Sequence, residues 1–340
     1  MKILSAILKR VRPVAALLVF AASVGLMLFL FYAKTPVGDG GRAATVDIPK
    51  GAGFWQIVDV LDRQGLVNNR ILFYAVAMAH GARRSIKAGE YEMDAGMSPA
   101  EIIRKLIRGE IKTYRVTIPE DFTLKQIAER LAADRLVEER IFIEVATDPK
   151  FLASLKIPAA SAEGYLYPET YALNRAMTTR EIVRIMVNQF WKQVTPEMLE
   201  RARVLQLSTQ EFVTLASLIG KETGYRDEKA LVSGVFHNRL KKGMRLQSDP
   251  TAIYNLRNYS SKVTRRHLDN ESPYNTYKIK GLPPGPIANP GIDSLRAALY
   301  PASVNYLYFV SNNDGTHRFS TNLIAHNEAV LKYQIKRQNE

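Results

Sequence analysis

From Val14 to Tyr32 the chain carries no charged side chain, and the run is rich in Leu, Val, Ala and Phe. As a helix at about 1.5 Å per residue it would be about 28 Å long, the depth of a bilayer's hydrocarbon core. Lys2, Lys9, Arg10 and Arg12 precede it, and basic residues flanking a span are retained on the cytoplasmic side. The expectation is a single transmembrane helix with the N-terminus inside and the body outside. A cleaved signal peptide is the rival reading, but the apolar run is longer than the usual signal core. No small-residue cleavage site closes it before Lys34-Thr35-Pro36. Gly38 to Gly41 reads as a short flexible spacer behind it.

The chain contains no cysteine, so no disulfide framework exists, which fits a bacterial envelope protein and a cytosolic one equally. Net charge is +14 over 340 residues, and only four of the basic residues precede the span. The body is therefore basic and suited to anionic lipid headgroups or an anionic wall. Nucleic acid is not expected as a partner, because no nucleic-acid-binding signature is present.

An ungapped repeat runs through the first half at an offset of 70 residues. Val46, Ile48, Pro49, Gln56, Ile57, Leu61, Leu66, Val67, Arg70 and Ile71 recur as Val116, Ile118, Pro119, Gln126, Ile127, Leu131, Leu136, Val137, Arg140 and Ile141. Each copy reads as a short strand, a turn and a helix, with positions 57 and 61 or 127 and 131 on one helical face. Between the copies, Gly89-Glu90-Tyr91 reads as strand and Ser98-Pro99-Ala100-Glu101 as a helix start. The first copy, with Ile48-Pro49-Lys50-Gly51 before Phe54-Trp55-Gln56-Ile57, resembles a degenerate LysM module, a small glycan-binding unit. Phe54 and Trp55 also read simply as core aromatics.

Past Glu163 the chain changes character, with dense Pro, Gly, Tyr and Asn motifs between strong helices. Helices are expected at 179–192, 209–222, 228–242 and 322–334. A hairpin is expected over 306–320, where Asn312-Asn313-Asp314-Gly315 forms the turn.

In the 209–222 helix, Ser208 and Glu211 form a capping-box pattern and Phe212, Leu215, Ala216, Leu218 and Ile219 form an apolar stripe. Glu222 continues that stripe, within about 20° of Leu215 at about 100° per residue. Thr223-Gly224 reads as a glycine-type helix end. Burial and the negative helix terminus both disfavour an ionised carboxyl, which suits a general acid. A buried ion pair with Arg226, Arg239 or Arg245 is the alternative for the same residue.

Four proline-stiffened, polar-aromatic loops accompany this glutamate: 163–171, 247–251, 272–277 and 281–291. Sugar faces pack on aromatics and hydroxyls need planar hydrogen-bond partners. The loops therefore offer Glu163, Tyr165, Glu169, Tyr171, Gln247, Asp249, Thr251, Tyr274, Asn275, Thr276, Tyr277 and Asn289 as candidate substrate-binding residues, with Asn322 from the tail. His80, His237, His267, His317 and His326 show no metal-ligand spacing, so neither a metal nor another cofactor is expected. Surface or capping roles suit His317 and His326 better than a place in the cleft.

Taken together and in this order, these motifs resemble the endolytic murein transglycosylases, the YceG-like family of bacterial inner-membrane proteins. The resemblance takes in the anchor, the LysM-like region, the Glu-Gly-Tyr-Leu-Tyr-Pro-Glu-Thr-Tyr loop, Lys221-Glu222-Thr223 and the 306–327 tail. The family's catalytic glutamate lies in a Glu-Lys-Glu-Thr stretch, and here Gly220 stands at its first position. Glu222 is thereby left as the single glutamate of the motif.

The resemblance implies cleavage between N-acetylmuramic acid and N-acetylglucosamine within nascent strands, leaving 1,6-anhydro ends and terminating strand growth. In that reaction the muramic acid's own 6-hydroxyl attacks, so one carboxyl can serve as acid and then as base. A peptidoglycan hydrolase would need a second carboxylate, for which Asp249, Glu163 and Glu169 are the candidates. A non-catalytic wall-binding or scaffold protein is the remaining alternative. Work beside cell-wall synthases, the penicillin-binding proteins, is implied by resemblance alone.

The expected fold class is α+β. Residues 1–13 would be cytoplasmic, 14–32 the transmembrane helix and 33–45 a linker. A LysM-like strand-helix unit would occupy 46–113, a second strand-helix repeat 114–154, and a larger α+β catalytic domain 155–340.

Overall fold

The computed structural model describes residues 2–41, 43–82, 85–256 and 263–335. It is a mixed α+β structure in two compact units, Met1–Tyr114 with Asn174–Ala176, and Arg115–Leu173 with Met177–Glu340.

The first unit begins with helix α1 (Lys2–Lys34). Its apolar stretch Val14–Lys34 is long enough to cross a membrane. Residues 14–28 are exposed, whereas Phe29, Tyr32 and Ala33 pack into the core of the unit. The Tyr32 hydroxyl donates to the Asn69 carbonyl at 2.9 Å. The flexible spacer expected at Gly38–Gly41 is instead docked. The Gly38 N–H donates to the Ala95 carbonyl at 2.9 Å, and a Cβ on Gly96 would lie 2.8 Å from the Gly40 Cα. Glycine here serves close backbone approach rather than freedom.

Strand β1 (Ala44–Ile48), helices α2 (Phe54–Arg63) and α3 (Arg70–Ala79), strand β2 (Gly89–Met93) and helix α4 (Pro99–Arg108) complete the unit. β1 and β2 pair antiparallel, with Val46 opposite Tyr91. Alternation puts Val46 and Ile48 inside with Tyr91 and Met93. α4 starts at the expected capping box, with Pro99 at its first turn, and ends on left-handed Gly109. Trp55 is 53% exposed and stacks on Tyr74 at 5.2 Å between ring centres, so it is a surface aromatic and not part of the core.

The second copy repeats this order: β3 (Tyr114–Thr117), α5 (Leu124–Ala133), α6 (Glu139–Ala146), a short α7 (Pro149–Ser154), β4 (Thr170–Leu173) and α8 (Thr179–Gln193). α5 lies 70 residues after α2 at both ends. Beyond α7 the correspondence resumes at an offset of 80, where Tyr91, Met97, Glu101, Ile102 and Arg104 match Tyr171, Met177, Glu181, Ile182 and Arg184. Local bonds match as well. Tyr91 donates to the Lys87 carbonyl and Tyr171 to that of Tyr167, each four residues back. Both α4 and α8 open on capping boxes, Ser98 with Glu101 and Thr178 with Glu181. The duplication is thus a β-α-α-β-α unit, longer than the strand and helix legible at one offset.

The rest of the second unit is α9 (Pro196–Val204), α10 (Thr209–Glu222), α11 (Arg226–Lys241), α12 (Asp249–Ile253), α13 (Arg265–Leu268) and α14 (Ile292–Leu299). The hairpin β5 (Tyr308–Ser311) and β6 (His317–Ser320), α15 (Leu323–Val330) and a π-helical turn over Leu331–Ile335 follow. The hairpin pairs antiparallel around the expected turn. The boundary expected near residue 155 does not separate compact units, since the second copy shares its unit with everything from residue 177 on. The reason is polar: Glu163, between α7 and β4, binds the start of α5 and the loop carrying Asn289 at once.

Candidate active site

α10 is the axis of the site. Its capping box forms as expected, with the Ser208 hydroxyl accepting from the Glu211 N–H. Every residue from Phe212 to Gly220 is buried. An apolar stripe was expected, but the helix is enclosed all round because α9, α11, α12 and α14 pack on it. It ends at Thr223 in extended conformation, with φ −142°, and Gly224 is not left-handed. The Thr223 side chain takes the Tyr225 N–H at 3.0 Å, so a threonine stops the helix where a glycine was expected.

Glu222, the last helical residue, is partly buried. Its Oε1 accepts a short hydrogen bond from the Ser248 hydroxyl. Burial pushes its carboxyl up to about 7. The Asp249 charge adds to that rise, while the Ser248 bond and the Arg239 charge oppose it. Among the described residues Glu222 has no ion-pair partner within 4 Å. Arg226 pairs with Asp293 at 3.0 Å. Arg239, 6% exposed, donates to the Leu307 carbonyl at 2.6 Å and to that of Leu246 at 2.7 Å. It organises backbone rather than neutralising the acid.

Ser248 is held rigidly. It is buried, its N–H donates to Thr276 Oγ1 at 2.9 Å, and its carbonyl accepts from Thr251 Oγ1 at 2.6 Å. The two threonine hydroxyls are 2.8 Å apart. Asn275 fixes the adjoining loop, donating to the Leu268 and Asn270 carbonyls and accepting the Tyr277 N–H. Tyr277 in turn donates to Asp249 at 2.6 Å. Gln247 is exposed and left-handed at φ 51°. Gln247, Asp249, Thr251, Asn275, Thr276 and Tyr277 therefore gather around Ser248 and, through it, Glu222.

Glu163 is a second buried carboxyl, 2% exposed. It accepts from the Leu124 N–H through both oxygens, at 2.9 and 3.0 Å, and at 2.8 Å from Tyr254 and from Asn289 Nδ2. Burial outweighs these donors and pushes it up to about 7. Asn289 also takes the Leu166 N–H and donates to the Phe122 carbonyl. Tyr274 packs against Tyr254 with ring centres 4.8 Å apart. Glu163 and Tyr254 line a cleft of about 520 Å³ with Thr123, Gln126, Lys221 and Pro250. α12 connects the two carboxyls, as Ser248 precedes it and Tyr254 follows it.

Four candidates lie elsewhere. Tyr165 is fully buried against Phe190 and Trp191, and Tyr171 is buried with its hydroxyl on Tyr167. Both are core residues, because their rings close the packing of β4 and α8. Glu169 is exposed and accepts the Thr170 N–H, and Asn322 caps α15 by accepting from Ala325. His317 pairs with Glu228 at 2.7 Å, fastening the hairpin to α11. Sequence reasoning did not single out Ser248 or Tyr254, and it offered Arg239 only as an ion-pair partner of Glu222, not as the organiser of backbone it is. Ser248 could have been found as the residue directly before an Asp-Pro helix start, and nothing in the sequence marks Tyr254.

Comparison with known proteins gives one answer. The chain is 33% identical to an endolytic murein transglycosylase of Bacillus subtilis, over 89% of this chain and 88% of that one. It is 30% identical to one of Streptococcus pneumoniae, covering 88% of this chain but only 60% of the longer streptococcal protein. The crystal structure of a YceG-like protein from Listeria monocytogenes superposes with a TM-score of 0.59 at 34% identity, over 84% of this chain and 98% of that one. The sequence model of the YceG-like family matches residues 46–332, and the chain belongs to that family.

Proposed function

We propose that this protein is an endolytic peptidoglycan lytic transglycosylase that cuts the N-acetylmuramic acid to N-acetylglucosamine bond within nascent strands, with Glu222 as its acid and base. The observation that carries the reading is the Glu222 carboxyl itself, raised to about 7 and held by one hydroxyl. A carboxyl near neutrality gives up a proton to the leaving oxygen and regains one from the muramic 6-hydroxyl at little cost in either direction. A hydroxyl partner suits both states, since Ser248 donates to the carboxylate and can rotate to accept from the acid. The relatives' name, endolytic murein transglycosylase, supports the same chemistry.

On this reading α1 is a single-pass anchor in the bacterial inner membrane, with the N-terminus inside and the body at the outer face, where synthases extrude new strands. Protease added to spheroplasts then digests the body while a cytosolic marker survives. Digestion of neither reverses the topology.

The reaction is tested with purified full-length protein on sacculi in H₂¹⁸O. A lytic transglycosylase releases 1,6-anhydro ends without ¹⁸O. Reducing ends carrying ¹⁸O would make it a hydrolase and turn attention to Asp249. No cleavage at all would leave a wall-binding protein.

A further inference from the structure

The loop between β3 and α5 carries two acids, Glu120 and Asp121, and the fold makes room for both with glycines. A Cβ on Gly291 would fall 2.0 Å from Glu120 Cδ, and a Cβ on Gly220 would fall within 2 Å of Asp121 Oδ1 and 2.6 Å from its Cγ. Such separations are impossible, so any side chain at 220 competes with the Asp121 carboxyl for one space.

The internal repeat shows that the unit folds without this acid. Asp121 corresponds to Gly51 at the offset of 70, and both are left-handed, with φ 61° and 75°. In the first copy the position is open, with nothing within 4 Å of a Cβ at Gly51. Left-handed backbone is strained for residues other than glycine. That strain alone decides nothing, because Arg135 replaces left-handed Gly65 in the same way and is exposed. What distinguishes Asp121 is its contact. Its Oδ1 is shielded from solvent without a hydrogen-bond partner, facing Gly220. A carboxyl therefore stands beside the last turn of α10, carried by the loop before α5 and not by the helix itself.

We propose that Asp121 and Gly220 are a complementary pair, in which Asp121 is a positioning residue that sets the loop before α5 against the end of α10 and Gly220 leaves the space its carboxyl fills. Both segments line the candidate site: Thr123 and Gln126 border the cleft from one, Lys221 from the other, and Glu222 follows directly. Backbone contacts secure the arrangement. The Asp121 N–H donates to the Asn289 carbonyl at 2.9 Å, and Lys221 Nζ reaches the Asp121 carbonyl at 3.4 Å. The charges facing the carboxyl are those of Glu120, Lys221 and Lys229, and Lys229 is itself buried and bonded to Ser294 at 2.8 Å.

The inference deepens the proposed reaction, but its decisive test does not depend on it. Full-length wild type, D121G, G220E and D121G/G220E are compared by thermal melting. Pairing requires G220E to lower Tm in the wild-type background and to leave it unchanged or raise it in the D121G background. An equal loss in both backgrounds overturns the proposal whether or not the protein cleaves glycan. D121G alone, which relieves the left-handed strain, should melt no lower than wild type.

Positioning is read from kinetics on glycan strands. D121G and the shape-preserving D121N should lower kcat by about 10- to 100-fold, and G220E added to D121G should restore it. A D121G protein with wild-type kcat removes the positioning role. Failure of all variants and wild type to cleave counts against the proposed function instead, and leaves the melting cycle to decide the pair.

Discussion

The two copies of the β-α-α-β-α unit share strands, caps and even the backward hydroxyl bonds of Tyr91 and Tyr171, yet among the described residues only the second is wired into a polar site. Two differences account for this. In the first copy residues 80–88 connect the second helix to the second strand, whereas in the second copy residues 147–169 do so and include α7 and Glu163. The other is the Gly51 to Asp121 change at a left-handed turn. The first copy buries its faces on itself and on α1, while the second offers the N-terminus of α5 to a buried carboxylate. A duplicated scaffold thus acquires polar wiring through an insertion and a side chain at a turn, without altering its helices.

The largest effect that could break this contrast is at Glu222. E222Q should lower glycan cleavage by about 10² to 10⁴, whereas replacing the exposed Trp55 of the first copy by alanine should leave the rate on soluble strands unchanged. A comparable loss from W55A would place part of the chemistry on the first copy. E222Q also has a signature in stability. Because the folded carboxyl is raised from 4.5 to about 7, its contribution is full below pH 4.5 and is lost as pH rises through 7. The variant should therefore match wild type in Tm near pH 4.5 and exceed it above pH 7. Lower stability of E222Q at pH 8 would revive the ion-pair reading.

Next in size is Glu163, which has no counterpart in the shorter connection. E163A strands the donors of Leu124, Tyr254 and Asn289, and should cost roughly 1–3 kcal/mol in chemical denaturation. A neutral result would mean that water replaces the carboxylate and that the insertion is not what ties the second copy in. Smaller shifts come from the neighbours of Glu222. S248A removes a bond that lowers its pKa and should move the alkaline limb of the pH-rate profile upward. D249N removes a charge that raises it and should move the limb downward. Shifts in the same direction would show that the limb belongs to another group. The smallest effect is G51D, which transplants the acid into an open position. It should cost about 1–2 kcal/mol of left-handed strain and leave cleavage untouched.

Much of this was legible in the sequence because the signals are local. The capping boxes of α4 and α10 and the hairpin turn each depend on residues a few positions apart, and the first half of the repeat shows itself by identities at one constant offset of 70. The site was legible as a set of loops but not as a geometry. Tyr165 and Tyr171 share their motif with Glu163, yet both are core residues, Tyr165 packed against Phe190 and Trp191 of α8 and Tyr171 bonded to the Tyr167 carbonyl. Ser248, Tyr254 and Arg239 matter through partners 26, 91 and 68 residues distant, which no local pattern encodes. The second half of the duplication was hidden by the insertion, which changes the offset from 70 to 80.

One feature of the first unit reaches beyond the site. Phe29, Tyr32 and Ala33 belong both to the apolar helix and to the core of that unit, and the Tyr32 hydroxyl is bonded to Asn69. A helix joined in this way is a mast rather than a leash. In a bilayer whose thickness departs from the length of the span, a helix accommodates by tilting. On the proposed reading of α1 as an anchor, with no free joint at Lys34 to absorb the tilt, the first unit inherits it, and local membrane thickness sets the attitude of that unit at the membrane surface.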